Sequence, residues 1–299
     1  MHSPSFNMTE SRPNWESLIF VRMRKLGVFL LLTLLIASCR DSVRDEDLDT
    51  TTARDHMLAQ TIFLDVMRQV HRIAIEDSLF IEASFQSDLQ DDCMDSIFFT
   101  TSPTARYKVL WLDYGQVGTD VGCEDLKNRG GKINITINGF YPDDFTVLEI
   151  ALFSYQVDSM EIEGNFTYTL VGQNGNGEKE YNLVVEDGFI SSSKYKISWD
   201  ADYFIVQTEG NNLPKPFDDV FRFEGRSTGR GTIGSAFEVE TKGNWFYDMD
   251  CLYPYGVNGV QEMDIPDLTT RFITFSDECV STAKMSNINI ASADLEIDY

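Results

Sequence analysis

Chemistry needs groups that titrate, attack or stack, and beyond residue 38 this chain offers only two histidines, His56 and His71. They stand fifteen residues apart, so they cannot adjoin on one helical face as the pair of an H-E-x-x-H metal site does. Solvated positions on the surface of a helix are the expectation for both. A nucleophile elbow needs G-x-S-x-G, and "GTIGSAF", 231–237, comes nearest without matching it. No P-loop and no strand-linked G-x-G-x-x-G occurs. Carboxylates are plentiful, as in Asp91-Asp92, Asp143-Asp144, Asp218-Asp219, Asp248 and Asp250. A glycoside hydrolase needs two at a set separation, and abundance neither selects nor excludes such a pair. Oxygen-rich turns suit Ca²⁺, but the D-x-D-x-D-G loop of a calcium hand is missing, and no other cofactor is implied. Trp111, Trp199 and Trp245 each lie in a strand-like run and could stack on sugar rings; packing in a core is the ordinary alternative.

The elements that would hold these groups begin with an address. Arg22, Arg24 and Lys25 precede an apolar run, Leu26 to Ala37, that is too short for a bilayer-spanning helix of about 20 residues. A basic head, a short apolar middle and small residues at the end predict a secretory signal peptide. Ile36-Ala37-Ser38-Cys39 resembles the lipobox of bacterial lipoproteins, which implies cleavage before Cys39 and acylation of its thiol. An ordinary signal peptide with a nearby cysteine is the alternative. Met23-Arg24-Lys25-Leu26 reads as a natural start, which makes residues 1–22 an upstream extension. Residues 1–38 thus form extension plus signal, and 39–51 an acidic tether. Asp45-Glu46-Asp47 resemble a surface-export signal of Bacteroidota, with a plain charged linker as the alternative.

Residues 1–38 hold four basic and two acidic side chains. The remaining 261 residues, with 20 Lys and Arg against 46 Asp and Glu, therefore carry about −26. Such a surface repels phosphate backbones, so nucleic acid is excluded as a partner. With 42% hydrophobic and 12% aromatic residues the chain can still build a core, so the charge does not imply disorder.

Residues 52–78 carry Ala59, Ile62, Phe63, Val66, Met67, Val70, Ile73 and Ala74 at spacings of three and four. That period predicts an amphipathic helix with its apolar stripe on the body. Arg54, Asp55, Asp65, Arg68, Gln69 and Arg72 fill the other face. Residues 79–299 then shift to period two. In "KINITIN", 132–138, Ile133, Ile135 and Ile137 face one way and Asn134, Thr136 and Asn138 the other. Further runs of β-branched and aromatic residues follow, each closed by Gly, Asn or Asp, and Asn174-Gly175-Asn176-Gly177 reads as a hairpin turn. No second helical pattern interrupts, so parallel β-α-β units are not expected. The fold class is mainly β: an antiparallel meander, a curved sheet or a sandwich, preceded by one helix.

With Cys39 set aside, Cys93, Cys123, Cys251 and Cys279 remain, an even number that favours disulfides in an exported chain. The segments around Cys93–Cys123 and Cys251–Cys279 echo one another, each with an apolar strand, a polar turn and another strand. Keeping each bridge inside one copy predicts Cys93–Cys123 and Cys251–Cys279. Crossed pairing and four free thiols are the alternatives.

"WLDYGQVGTDVGCEDLKNRGGKINITINGFY", 111–141, and "FITFSDECVSTAKM", 272–285, carry a resemblance. They are similar to an uncharacterised family of Bacteroidota cell-envelope lipoproteins, of the Cytophagales and Flavobacteria type, with a cysteine-containing β-rich body. In that family an "IDFG" strand leads to a cysteine, a basic glycine-containing turn and a "GKI" strand. Here Lys127-Asn128 interrupt the turn, and Val280-Ser281 replace the usual Asp-Asn. The resemblance implies an exported, mainly β protein and supplies no catalytic residues. The expected function is a lipid-anchored, non-catalytic envelope protein that is structural, adhesive or ligand-binding. Its expected partners are the membrane, through the N-terminal lipid, and a glycan or an envelope protein. Its expected location is the bacterial envelope, at the outer membrane. The alternative is an envelope glycoside-type hydrolase using paired carboxylates.

Overall fold

The computed structural model describes residues 50–80, 93–102, 104–116, 123, 125–141, 143–210, 218–251, 256–288 and 292–297. The signal segment, Cys39, nearly all of the tether, Asp91 and Asp92 lie outside the described residues.

One helix, α1 (Thr51–Phe80), opens the described chain. It contains neither glycine nor proline, and the Thr50 carbonyl accepts its first hydrogen bond, from Arg54 N at 2.9 Å. The strands β1 (Ser96–Phe99), β2 (Tyr107–Asp113), β3 (Arg129–Asn138), β4 (Val147–Val157) and β5 (Met160–Gln173) follow. Then come β6 (Lys179–Ser191), β7 (Lys196–Glu209), β8 (Val220–Arg230), β9 (Ala236–Asp248) and β10 (Gly256–Val257). The series ends with β11 (Gly259–Asp264), β12 (Arg271–Phe275), β13 (Thr282–Asn287) and β14 (Ser292–Glu296). All pair antiparallel in one open sheet in chain order, with β10 a short addition to β9. The result is a curved meander, not a sandwich. The connection predicted at Asn174 is a tight turn: its Oδ1 accepts the N–H groups of Asn176 (2.9 Å) and Glu178 (3.1 Å).

Period-two alternation gives the sheet an apolar inner face. Ile133, Ile135 and Ile137 are buried, and so are Tyr168, Tyr181, Trp199, Tyr203, Phe223, Trp245 and Met263 further along. Every pairing from β3–β4 to β8–β9 contains at least one register shift. Each bulge adds twist and bend, so the long central strands coil instead of lying flat. The sheet curls around α1. Side chains of the helix meet Arg129 in β3, Phe166 in β5, Trp199 and Tyr203 in β7, Phe237 in β9 and Gln261 in β11. The backbone of α1 also approaches β14.

Arg54 is exposed and Arg68 and Arg72 are half-buried, as a solvated polar face requires, but the enclosure corrects that expectation for the rest of the face. His56, Asp65 and His71 are fully buried, and Asp55, Gln60, Thr61 and Gln69 nearly so. Phe63 shows how close the approach is: its ring stacks on Trp199 at 5.1 Å and 7°. Gly188 makes room for it, since a Cβ there would stand 2.9 Å from Phe63 Cζ.

Cys93 is bonded to Cys123 and Cys251 to Cys279, with Cα atoms 4.6 and 5.4 Å apart. This is the local pairing. The first bridge encloses the β1–β2 hairpin; the second encloses the short β10 and the β11–β12 hairpin.

Candidate ligand-binding face

The interior holds His56, His71 and four aspartates, Asp55, Asp65, Asp125 and Asp219, in hydrogen-bonded groups. His71 Nε2 lies 2.9 Å from Asp219 Oδ2, and Tyr141 OH lies 2.7 Å from His71 Nδ1. Gln207 Nε2 donates to Asp219 Oδ1 at 2.6 Å, and Tyr181 OH donates to Gln207 Oε1 at 2.9 Å. The order Tyr-His-Asp has the form of a proton relay. All of its members are buried, however, none more than 2% exposed, so no substrate reaches them. Burial pushes the Tyr141 and Tyr168 phenols well above their usual range, so they stay neutral.

A second group joins Asp65, Arg129 and Asp125. Arg129 Nη2 donates to Asp65 Oδ2 at 2.8 Å, and Nη1 to Asp125 Oδ1 at 2.9 Å. Burial raises the Asp125 carboxyl, but Arg129 more than offsets this and holds it below the usual carboxylate range. The third group is His56, whose Nδ1 accepts from Trp199 Nε1 at 3.4 Å. That leaves Nε2 to donate to Gln261 Oε1 at 3.2 Å, and Gln261 Nε2 in turn donates to Thr241 Oγ1 at 3.2 Å. The solvated positions expected for His56 and His71 are thus overturned. Sequence reasoning could have caught a trace of this. Gln207, Gln261 and Arg271 stand at inward positions whose strand neighbours on the same face are Ile205, Met263 and Ile273, which signals polar partners inside.

Burial lowers the His56 pKa to about 4, although the Gln261 hydrogen bond works the other way. The unfolded chain keeps an ordinary value of 6.5. Above pH 6.5 neither state is protonated and stability is unaffected. Between 6.5 and 4 the unfolded chain takes up a proton that the native interior refuses. Stability should fall by about 3 kcal/mol across that window and level off below it. Urea melts of the wild type and His56→Gln from pH 7.5 to 3.5 check this. The wild type should show the steeper loss, and identical slopes would refute it.

The carboxylate pairs disperse. Asp218 is exposed while its neighbour Asp219 is buried. Asp143 and Asp144 sit in the exposed β3–β4 turn, and Asp248 Oδ1 is occupied by Asp250 N at 2.9 Å. An outer furrow crosses β7, β8, β9 and β11. Its Glu240 and Glu262 are bridged by Lys242 at 3.2 and 2.7 Å, and Phe204 is its one aromatic side chain. Among the described residues no three His, Cys, Asp or Glu side chains converge as a metal site, and no helix is long and apolar enough to cross a membrane.

The tryptophans separate by face. Trp199 and Trp245 are wholly buried; Trp199 lies against Phe63, and Trp245 against Phe223 at 4.9 Å. Trp111 points outward from β2. Beside it on the same outer face stand Phe98 of β1 and Phe153 of β4, 39% and 49% exposed. Phe98 and Trp111 are register partners with rings 6.4 Å apart and 11° from parallel. The Trp111 and Phe153 rings are 5.1 Å apart and tilted 51° to each other. With β3 between them, β2 and β4 run roughly 10 Å apart, so these two side chains lean toward each other across β3. The three rings form a strip over four strands.

Local backbone features place the strip. The β3–β4 register shifts at Gly131, and the β4–β5 register shifts between Ala151 and Tyr155. Ser154 takes φ of 46° and Gly131 of 79°. A Cβ on Gly131 would collide with the Ser154 carbonyl, so only glycine permits the two irregularities to lie back to back. They let Phe153 face outward while Tyr155, two residues on, resumes the inner face. Under the rings, Asn134 is the register partner of Trp111, and its Nδ2 is buried without a hydrogen-bond acceptor. At one end of the strip Lys132 Nζ pairs with Asp113 Oδ2 at 2.6 Å. Partial burial raises the Asp113 carboxyl, but Lys132 and the N–H of Gly115 hold it below its ordinary value.

Comparison with protein-family models, with curated proteins and with solved structures finds no match to this chain.

Proposed function

We propose that this chain is a non-catalytic binding protein of the bacterial cell envelope, held by a lipid on Cys39, that presents the outer face of its sheet to a ligand. The observation that carries the binding role is the strip of Phe98, Trp111 and Phe153. Three aromatic rings gathered on a solvated face contribute little to the core, and exposed aromatic clusters of this kind mark contact surfaces. The histidines, which catalysis would call on first, are enclosed, and the outer carboxylates are solvated or bridged by lysine. A binding role therefore accounts for the arrangement better than a hydrolase with paired carboxylates does. Support for the envelope comes from the sequence: the basic residues before Leu26, the short apolar run, the lipobox at Ile36 to Cys39, and the likeness to Bacteroidota envelope lipoproteins.

Cys39→Ala tests the anchor. The variant should leave the membrane fraction after a carbonate wash while the wild type stays. Retention of the variant would refute lipid anchoring. Protease applied to intact cells then separates a surface location from a periplasmic one.

A further inference from the structure

The geometry points to the strip of Phe98, Trp111 and Phe153 as a stacking platform for an uncharged glycan; this rests on the reading of the chain as a binding protein. A pyranose ring has an apolar face of C–H bonds and a rim of hydroxyls. It needs aromatic faces to lie on and polar groups at their edge. The strip offers both. Its ring-to-ring steps of 6.4 and 5.1 Å are comparable with the spacing of successive sugar rings along a chain. The Asp113–Lys132 pair supplies an acceptor and a donor at one end.

Other occupants fit less well. A nucleic acid would stack on the same rings, but the chain's net charge of −24 opposes its phosphates. An anionic glycan would meet the same field, with Glu149 exposed on β4, the strand that carries Phe153. A stable protein partner needs about 800 Å² on each side, whereas a fully buried aromatic side chain contributes only about 150–250 Å², and these three are already partly covered. A neutral sugar chain matches the small size of the strip, the near-parallel Phe98 and Trp111 rings and the polar edge.

The test is affinity electrophoresis of the purified full-length protein in gels containing laminarin, mannan, xylan or soluble starch. At least one polymer should retard the wild type. Trp111→Ala should weaken that retardation at least tenfold, Phe98→Ala and Phe153→Ala at least threefold, and Trp111→Phe should keep part of it. Thermal melts of the four variants should match the wild type, which separates lost contact from lost fold. No retardation by any polymer, or unchanged retardation of Trp111→Ala, would overturn the glycan assignment. A parallel arm passes solubilised envelopes over immobilised wild type and over the triple alanine variant of the strip. Material held only by the wild type, with no polymer bound in the gels, overturns the glycan and leaves a binding role standing. Equal capture in that arm together with no polymer bound overturns both.

Discussion

Arg129→Met is expected to destabilise the protein by about 3–5 kcal/mol, because it strands two carboxylates inside the fold. Arg129 is 4% exposed, and its guanidinium is shared between Asp65, fully buried on α1, and Asp125 in the loop before β3. The methionine replaces the aliphatic stem, so the loss measures charge and hydrogen bonding rather than a cavity. Asp65 and Asp125 would then have to be desolvated without their shared cation. The double variant Asp65→Leu/Arg129→Met removes the deepest carboxylate as well and should recover much of the loss, since a buried ion pair is often no better than packed apolar groups. Urea midpoints at constant m-value read both effects. A cost below about 1 kcal/mol for Arg129→Met would mean that the triad does not tie β3 to the helix.

Replacing all four bridged cysteines by alanine should leave the protein unfolded or nearly so at 37 °C. Each bridge closes a loop with a sequence separation of 30 or 28 residues. Chain entropy assigns about 3–4 kcal/mol to a loop of that size, and the two bridges enclose different hairpins, so their effects should add to first order. Together they rival the 5–15 kcal/mol that typically separates a native domain from its unfolded chain. Either pair removed alone, as Cys93→Ala/Cys123→Ala or Cys251→Ala/Cys279→Ala, should leave a folded protein with a lowered melting temperature. Non-reducing peptide mapping of the wild type should yield the two local linkages. Peptides joining Cys123 to Cys251 or Cys279 would refute them.

Much of the β body was legible because its evidence is local. Alternation at Ile133, Ile135 and Ile137, and the absence of helices between strands, lead directly to an antiparallel meander. The surroundings of the helix were not legible. Polar residues on α1 suggest a wet face, yet Gln261, the partner of His56, lies 205 positions further on, and Asp219, the partner of His71, lies 148 further on. No window along the sequence can contain both members of such a pair. The strip was half legible. Trp111 stood out by type, but Phe98 is one of two adjacent phenylalanines, which period two cannot assign to faces. Phe153 directly precedes a bulge residue, where the period itself breaks.

The placement of α1 also has a consequence for biosynthesis. The helix is made before every strand, yet its partners extend to β11, and its backbone neighbours to β14. Strand pairing can proceed as the chain lengthens, because each strand meets the one just before it. The helix cannot be enclosed in this way. Its apolar and charged side chains must wait, unsheltered, until nearly the whole chain is available to coil around them. Contacts of such long sequence separation form late and slow the final step. A nascent chain is therefore open to aggregation up to the release of β11. During that interval the Cys93–Cys123 bridge, whose two cysteines emerge early, can already hold the first hairpin closed.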